Sequence, residues 1–181
     1  PAPPAAAYAA ALEPQRGRTR RAYDLGEDVA IVFAPSGTDL EYVALACVAG
    51  RAPGGTHNIL LGADEVGSGC IHSAHGRYFA DRTALDVATK AGEPVPGLAG
   101  VELDMVDIPV RDGAGHVRAS GEIADAMAAA IGAARARERF ALLHVVHGSK
   151  TGLILPSTED MERLSAAHGP STGSGQEIGF V

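Results

Sequence analysis

The stretch from Val29 to Val48 changes periodicity partway along, and that change constrains the fold more than any other feature of the chain. Val29 to Phe33 are consecutive apolar residues (Val-Ala-Ile-Val-Phe), the pattern of a buried strand. The run breaks at Ala34-Pro35, and Ser36-Gly37-Thr38-Asp39 then open an amphipathic segment from Leu40 to Val48 that reads as a helix. Hydroxyl residues and glycine at a helix N-terminus supply free backbone N–H groups, side-chain donors and the positive end of the helix dipole, which together suit a phosphate group. Ser, Thr and Asp are also the ordinary N-cap residues, so a plain capped helix accounts for the same letters.

The rest of the chain repeats the alternation of strand and helix. Pro1 to Ala7 form a Pro/Ala-rich lead; a short helix is predicted over Tyr8 to Glu13, ending at Pro14, and a second around Arg16 to Tyr23. Thr56 to Leu61 is the next strand, after the turn Pro53-Gly54-Gly55. Glu65 to Gly69 is a glycine-rich loop and Cys70 to Phe79 a helix, followed by an irregular loop from Asp86 to Gly100. Val101 to Ile108 alternates apolar and acidic residues, as an edge strand does. An alanine-rich helix from Ser120 to about Glu138 precedes Phe140 to Val146, a continuous apolar run that fits a buried parallel strand. Gly148 to Gly152 make a loop, Leu153 to Leu155 a further apolar piece, and Ser157 caps a helix through His168. A flexible loop is expected over Gly169 to Gly175 and a strand beginning at Glu177. This order predicts an α/β fold, a three-layer sandwich around a mostly parallel sheet. Ligands of such sheets bind outside the carboxyl ends of the strands, and the loops at 35–39, 64–70 and 147–152 all follow strands in this reading.

Composition narrows the function. The 181 residues are 46% hydrophobic, enough for one well-buried core, with 4% aromatics and no tryptophan. A net charge of -7 argues against a nucleic-acid partner, because no basic stripe is present to neutralise phosphates. The one basic cluster, Arg16 to Arg21, reads as a solvated helix face or an interface. Cys47 and Cys70 are too few and too far apart for a disulfide framework or a metal cluster, and Cys47, in an apolar helical stretch, is expected in the core. No signal peptide or membrane-length apolar run is visible, so a cytoplasmic protein without a membrane partner is expected.

The order strand, Ser36-Gly37-Thr38, helix resembles the start of the cofactor site in the large domain of fold-type-I pyridoxal-phosphate enzymes. His144-Val-Val-His147-Gly-Ser149-Lys-Thr-Gly152 is similar to the strand and loop of the class-V aminotransferases and cysteine desulfurases. The resemblance implies that Gly37 and Thr38 give N–H groups to the cofactor phosphate and that the Ser36 and Thr38 hydroxyls add bonds. It implies that His72 or His75 covers the pyridine ring. It also implies that Ser149, where the family usually has asparagine, meets the cofactor's phenolic oxygen, with His147 as the alternative. In the family's chain order, an aspartate for the pyridine nitrogen and then the Schiff-base lysine follow the strand that begins at Glu177. Both are therefore expected beyond Val181, and neither Lys90 nor Lys150 takes the lysine's role.

The resemblance runs from about Tyr23 to Val181. It implies an N-terminal lead with short helices over 1–22 and, over 23–181, part of a cofactor-binding large domain. The function it implies is that of a transferase or lyase acting on an amino-acid-like substrate, with pyridoxal 5'-phosphate as cofactor, working as a homodimer. The alternative is a non-catalytic Rossmann-like domain for a phosphate or nucleotide, with Asp64 or Glu65 on a ribose. No Gly-x-Gly-x-x-Gly follows the first strand to support that alternative. A hydrolase is disfavoured by the lack of a Gly-x-Ser-x-Gly elbow, and no zinc-ligand spacing is present.

Overall fold

The computed structural model describes residues 4–98, 103–169 and 178–180. The chain divides into two compact units, residues 1–34 and 35–181. In the first, one helix, α1 (Ala5–Ala22), replaces the two short helices expected on either side of Pro14. A proline removes a single helical hydrogen bond, and here an alanine-rich turn precedes it while Arg16 Nη1 meets Glu13 Oε1 at 2.5 Å across it. Arg20 and Arg21 fall in the last turn, where the helix dipole favours cations.

Val29 to Phe33 is not a strand. Val29, Val32 and Phe33 are exposed, and no other strand pairs with the segment among the described residues. Its carbonyls find partners on α1 instead. Arg20 Nη2 donates to Val29 O at 3.1 Å, Arg16 Nε donates to Ile31 O at 3.1 Å, and the Arg16 guanidinium sits over the Phe33 ring. An apolar run of strand length predicts burial, but here guanidinium groups take two of the carbonyls that a sheet was expected to pair.

The second unit is built on an open parallel sheet. Its strands are β1 (Thr56–Leu61), β2 (Leu103–Ile108), β3 (Phe140–His144) and β6 (Ile178–Phe180), in the order β2-β1-β3-β6. β1 pairs with β2 from Thr56 opposite Leu103 to Leu61 opposite Ile108, and with β3 from Thr56 opposite Phe140 to Leu60 opposite His144. β2 lies at an edge, as its alternating residues predict. A two-residue antiparallel pair, β4 (Val146–His147) with β5 (Ile154–Leu155), closes the loop after β3. The loop expected over Gly169 to Gly175 lies, after Gly169, outside the described residues.

Helices cover both faces of the sheet. Helix α4 (Ser120–Arg135) lays Ile123, Met127, Ile131 and Ala134 against Ile59, Leu61, Ala141 and Leu143, and Leu164 of α5 (Thr158–His168) joins this cluster. Successive strand residues point to opposite faces, so Phe140 and Leu142 turn the other way and pack with Leu45 and Val48 of α2 (Gly37–Val48). Ser120 ties the starts of α4 and α5, donating to Asp160 Oδ2 at 2.5 Å and accepting from Ser157 N at 2.7 Å. Two expectations change. Cys47 is exposed, because Leu45 and Val48 take the buried side of α2. The helix at Cys70 ends at Ala74 (α3, Cys70–Ala74) rather than Phe79, because Asn58 Nδ2 donates to the Ala74 carbonyl and Gly76 turns the chain with φ 64°. No helix among the described residues is long and apolar enough to cross a membrane.

The two faces differ in what a truncation should cost. Met127→Ala, in the fully buried stripe of α4, should lower unfolding free energy by about 2–5 kcal/mol. Cys47→Ser, on the open side of α2, should change it by no more than about 0.5 kcal/mol. Urea unfolding of both variants checks this.

Candidate functional site

From β1 the chain first adds β2 on one side and then, through α4, crosses back to place β3 on the other side of β1. The segments leaving β1 and β3 therefore diverge, and a crevice opens outside their carboxyl ends. A cleft of about 430 Å³ lies there. Gly37, Thr38 and Glu41 of α2 line it, with Glu65, Val66, Gly67 and Cys70 after β1, and Val145, His147, Gly148, Ser149 and Lys150 after β3. The three loops singled out in the sequence converge on one place.

The first turn of α2 is built by Ser36. Its backbone is extended, and its Oγ accepts from Asp39 N at 3.1 Å while donating to Asp39 Oδ2 at 2.6 Å. The hydroxyl is thus spent on the cap, and Ser36 does not line the cleft. The N–H groups of Gly37 and Thr38 donate to no acceptor among the described residues. A Cβ on Gly37 would meet nothing within 4 Å, so the space beside it is open. Gly67 comes close: a Cβ there would lie 3.3 Å from Cys70 Sγ and 3.4 Å from Thr38 Oγ1. Thr38 Oγ1 and Cys70 Sγ are themselves 3.6 Å apart.

Glu65 holds the other two walls together. Its carboxylate is buried, with Arg111 Nε donating to Oε1 at 3.0 Å and the Ser149 and Thr151 hydroxyls donating to Oε2 at 2.8 Å each. Lys150 N donates to the Glu65 carbonyl at 3.2 Å. The Ser149 and Thr151 hydrogen bonds, with the Arg111 guanidinium, lower the Glu65 pKa from 4.5 to about 2 against the opposing effect of burial. This arrangement revises two expected roles. Ser149 reaches the cleft, but its hydroxyl proton is given to Glu65 and its oxygen accepts from Leu153 N at 3.0 Å. Glu65, bound on both oxygens, is not open to a ribose, and Asp64 does not line the cleft.

The remaining candidates separate. His147 is exposed and lines the cleft beside Lys150. His72 and His75 do not line it: His72 is exposed on α3, and His75 closes the end of that helix. Burial first, then Arg77 and His72, pushes the His75 pKa down. Lys90 is exposed and meets Glu93 at 3.6 Å.

A further set was not singled out from the sequence. His144, at the end of β3, is buried; its Nε2 lies 3.1 Å from Asn58 Oδ1 and its Nδ1 2.6 Å from Glu41 Oε2. The signal was present. His144 is the one polar residue of an otherwise apolar strand, Asn58 is a fully buried amide in β1, and Glu41 is one helical turn from Gly37. Among the described residues no group of three or more His, Cys, Asp or Glu side chains is arranged to hold a metal ion. No protein-family model matches this chain, and no curated protein or solved structure matches it either.

The Glu65 network makes a pH prediction. A carboxylate whose pKa falls on folding contributes stability above its unfolded value and loses it as pH drops through the folded value. Wild-type stability should therefore fall between pH 4.5 and about 2 through this group. In Glu65→Gln that part of the acid transition should be missing, and stability near neutral pH should be lower. Thermal unfolding of both proteins across that range checks it.

Proposed function

We propose that the cleft is the cofactor site of a pyridoxal-phosphate-dependent transferase or lyase acting on an amino-acid-like substrate, built on the three-layer α/β plan of the fold-type-I large domain. The observation that supports this most is the convergence of the unpaired Gly37 and Thr38 N–H groups with the loops after β1 and β3. A helix N-terminus of this kind suits a phosphate monoester through its free donors and its dipole. The cleft volume lies within the range of small-molecule sites.

The residues fit the phosphate end of the cofactor. Gly37 and Thr38 would hold the phosphate, with the open space at Gly37 receiving its oxygens. Val66, Cys70 and Val145 supply apolar wall, and His147 and Lys150 flank the opening. When bound, the cofactor supplies an electron sink for carbanion chemistry. The chain's own contribution is to anchor and orient it. Ser36 acts only through the cap, Ser149 through its bond to Glu65, and His72 and His75 take no part in the site. A homodimer belongs to the same reading.

The reading is tested by titrating pyridoxal phosphate against variants of the full chain. Gly37→Val places its Cβ where nothing lies within 4 Å, so its melting temperature should stay near wild type while affinity falls at least about tenfold, or about 1.4 kcal/mol. Thr38→Val should cost about 1–2 kcal/mol of binding through the lost hydroxyl. Unchanged affinity in both variants would remove the phosphate site from the first turn of α2.

A further inference from the structure

The loop after β3 contains one side chain that the Glu65 network leaves over, that of Lys150. Ser149 and Thr151, on either side of it, give their hydroxyls to Glu65 Oε2, and the Thr151 N–H reaches the same oxygen at 3.3 Å. The Lys150 N–H goes to the Glu65 carbonyl. Gly148 and Gly152, with φ of 76° and 83°, bracket the segment, and the Gly148 and Ser149 N–H groups both donate to the Leu153 carbonyl. The backbone is thus held on both sides of Lys150, and its side chain starts from a fixed point. Lys150 lines the cleft, and its ammonium has no hydrogen bond or ion pair among the described residues.

The acids of the cleft do not claim that ammonium. They are Glu41 and Glu65. Arg111 balances Glu65, and Glu41 Oε2 lies 2.6 Å from His144 Nδ1, so each faces a basic side chain of its own. The α2 end of the cleft already supplies donors for a phosphate, at Gly37 and Thr38. A volume of about 430 Å³ accepts a whole small molecule, so a ligand held there by its phosphate extends away from α2. Lys150 stands on a different wall, in the loop after β3. A lysine ammonium is a compact charge with three donors, which suits a second anionic group on the same ligand.

We propose that Lys150 is the carboxylate-binding residue of the cleft, so that its ligand carries two separated anionic groups, a phosphate at Gly37 and Thr38 and a carboxylate at the Lys150 ammonium. The proposal rests on the phosphate-site reading above and names what the other end of the site selects. Its chemistry is recognition alone, with no bond made or broken. Glu65 serves it indirectly, by fixing the loop that presents the ammonium. The same contact gives an amino-acid-like substrate a place for its carboxylate.

Matched phosphonates test this on the full chain. Straight-chain phosphonates of graded length, each ending in a carboxylate, are titrated beside the same chains ending in a neutral carboxamide, with inorganic phosphate as the reference. At the length that spans the cleft, wild type should prefer the carboxylate by about threefold to tenfold. Lys150→Met should bind the two forms about equally and keep wild-type affinity for inorganic phosphate. Its melting temperature should stay near wild type, because Lys150 is exposed. Lys150→Arg, which keeps the charge, should keep a preference for the carboxylate. Equal binding of both forms to wild type at every length would overturn the carboxylate site and leave the phosphate site standing. A preference that survives Lys150→Met but is lost in His147→Asn would assign the carboxylate to His147 and overturn the proposal. Weaker binding of inorganic phosphate and of both phosphonates by the same factor in Lys150→Met would put the ammonium on the phosphate itself, and would also overturn it. No binding of phosphate or of any phosphonate would overturn both readings.

Discussion

The buried carboxylate of Glu65 is the interaction on which the cleft depends. It sits just past the end of β1 and binds Arg111, which follows β2, together with Ser149 and Thr151, which follow β3. Three segments leaving neighbouring parallel strands are thereby held by one anion. An isolated buried carboxylate is costly, but here both oxygens are filled and a guanidinium balances the charge. Arg111 Nη2 also donates to Thr151 Oγ1 at 2.9 Å, so the network closes on itself. Removing Arg111 would leave the buried charge without its balancing guanidinium, whereas Oε2 keeps a hydroxyl donor if either Ser149 or Thr151 is lost.

With those ends fixed, the sheet order does the rest. Placing β3 on the opposite side of β1 from β2 opens the crevice, and α2, packed through Leu45 and Val48 on Phe140 and Leu142, sets its first turn at that opening. The same sheet face carries Asn58 and His144, which reach α2 through Glu41. Structure and site are therefore not separable on this face. The strand residues nearest the amino ends pack the helix, and those nearest the carboxyl ends equip the cleft.

Much of this was legible from residue pattern. Phe140 to Val146 reads as a buried parallel strand because it is a nearly continuous apolar run, although the strand in the sheet ends at His144, and Val101 to Ile108 reads as an edge because its acids alternate with apolar residues, as β2 lies at an edge. Ser157 and Ser36 both cap helices, as their positions ahead of acidic first turns indicate. The errors have specific causes. Val29 to Phe33 has the apolar content of a strand, but its Val29 and Ile31 carbonyls are taken by Arg20 and Arg16, side chains whose reach no periodicity reveals. The helix after Cys70 stops early because Asn58, twelve residues upstream of Cys70 in sequence, captures a carbonyl of its last turn. In the site, the loops after β1 and β3 were readable from strand ends, but the first turn of α2 follows no strand, and hydroxyl roles were not readable. Ser36 and Ser149 look like free donors in sequence, yet their hydroxyls are committed to Asp39 and Glu65. Glu41 and His144 were passed over because their pairing exists only across the strand–helix contact, although His144 stands out as the polar residue of its strand.

The central claim is that one phosphate-accepting cleft forms where α2 meets the ends of β1 and β3. The most direct measurement is a backbone amide NMR titration of the full chain with pyridoxal phosphate. The account predicts the largest shifts at Gly37 and Thr38, with smaller ones across residues 65–70 and 145–150, and none around His57, Asp104 and Arg137, which cluster at the amino ends of the strands and α4's end. Shifts centred on that opposite cluster, or none at Gly37 and Thr38, would contradict it.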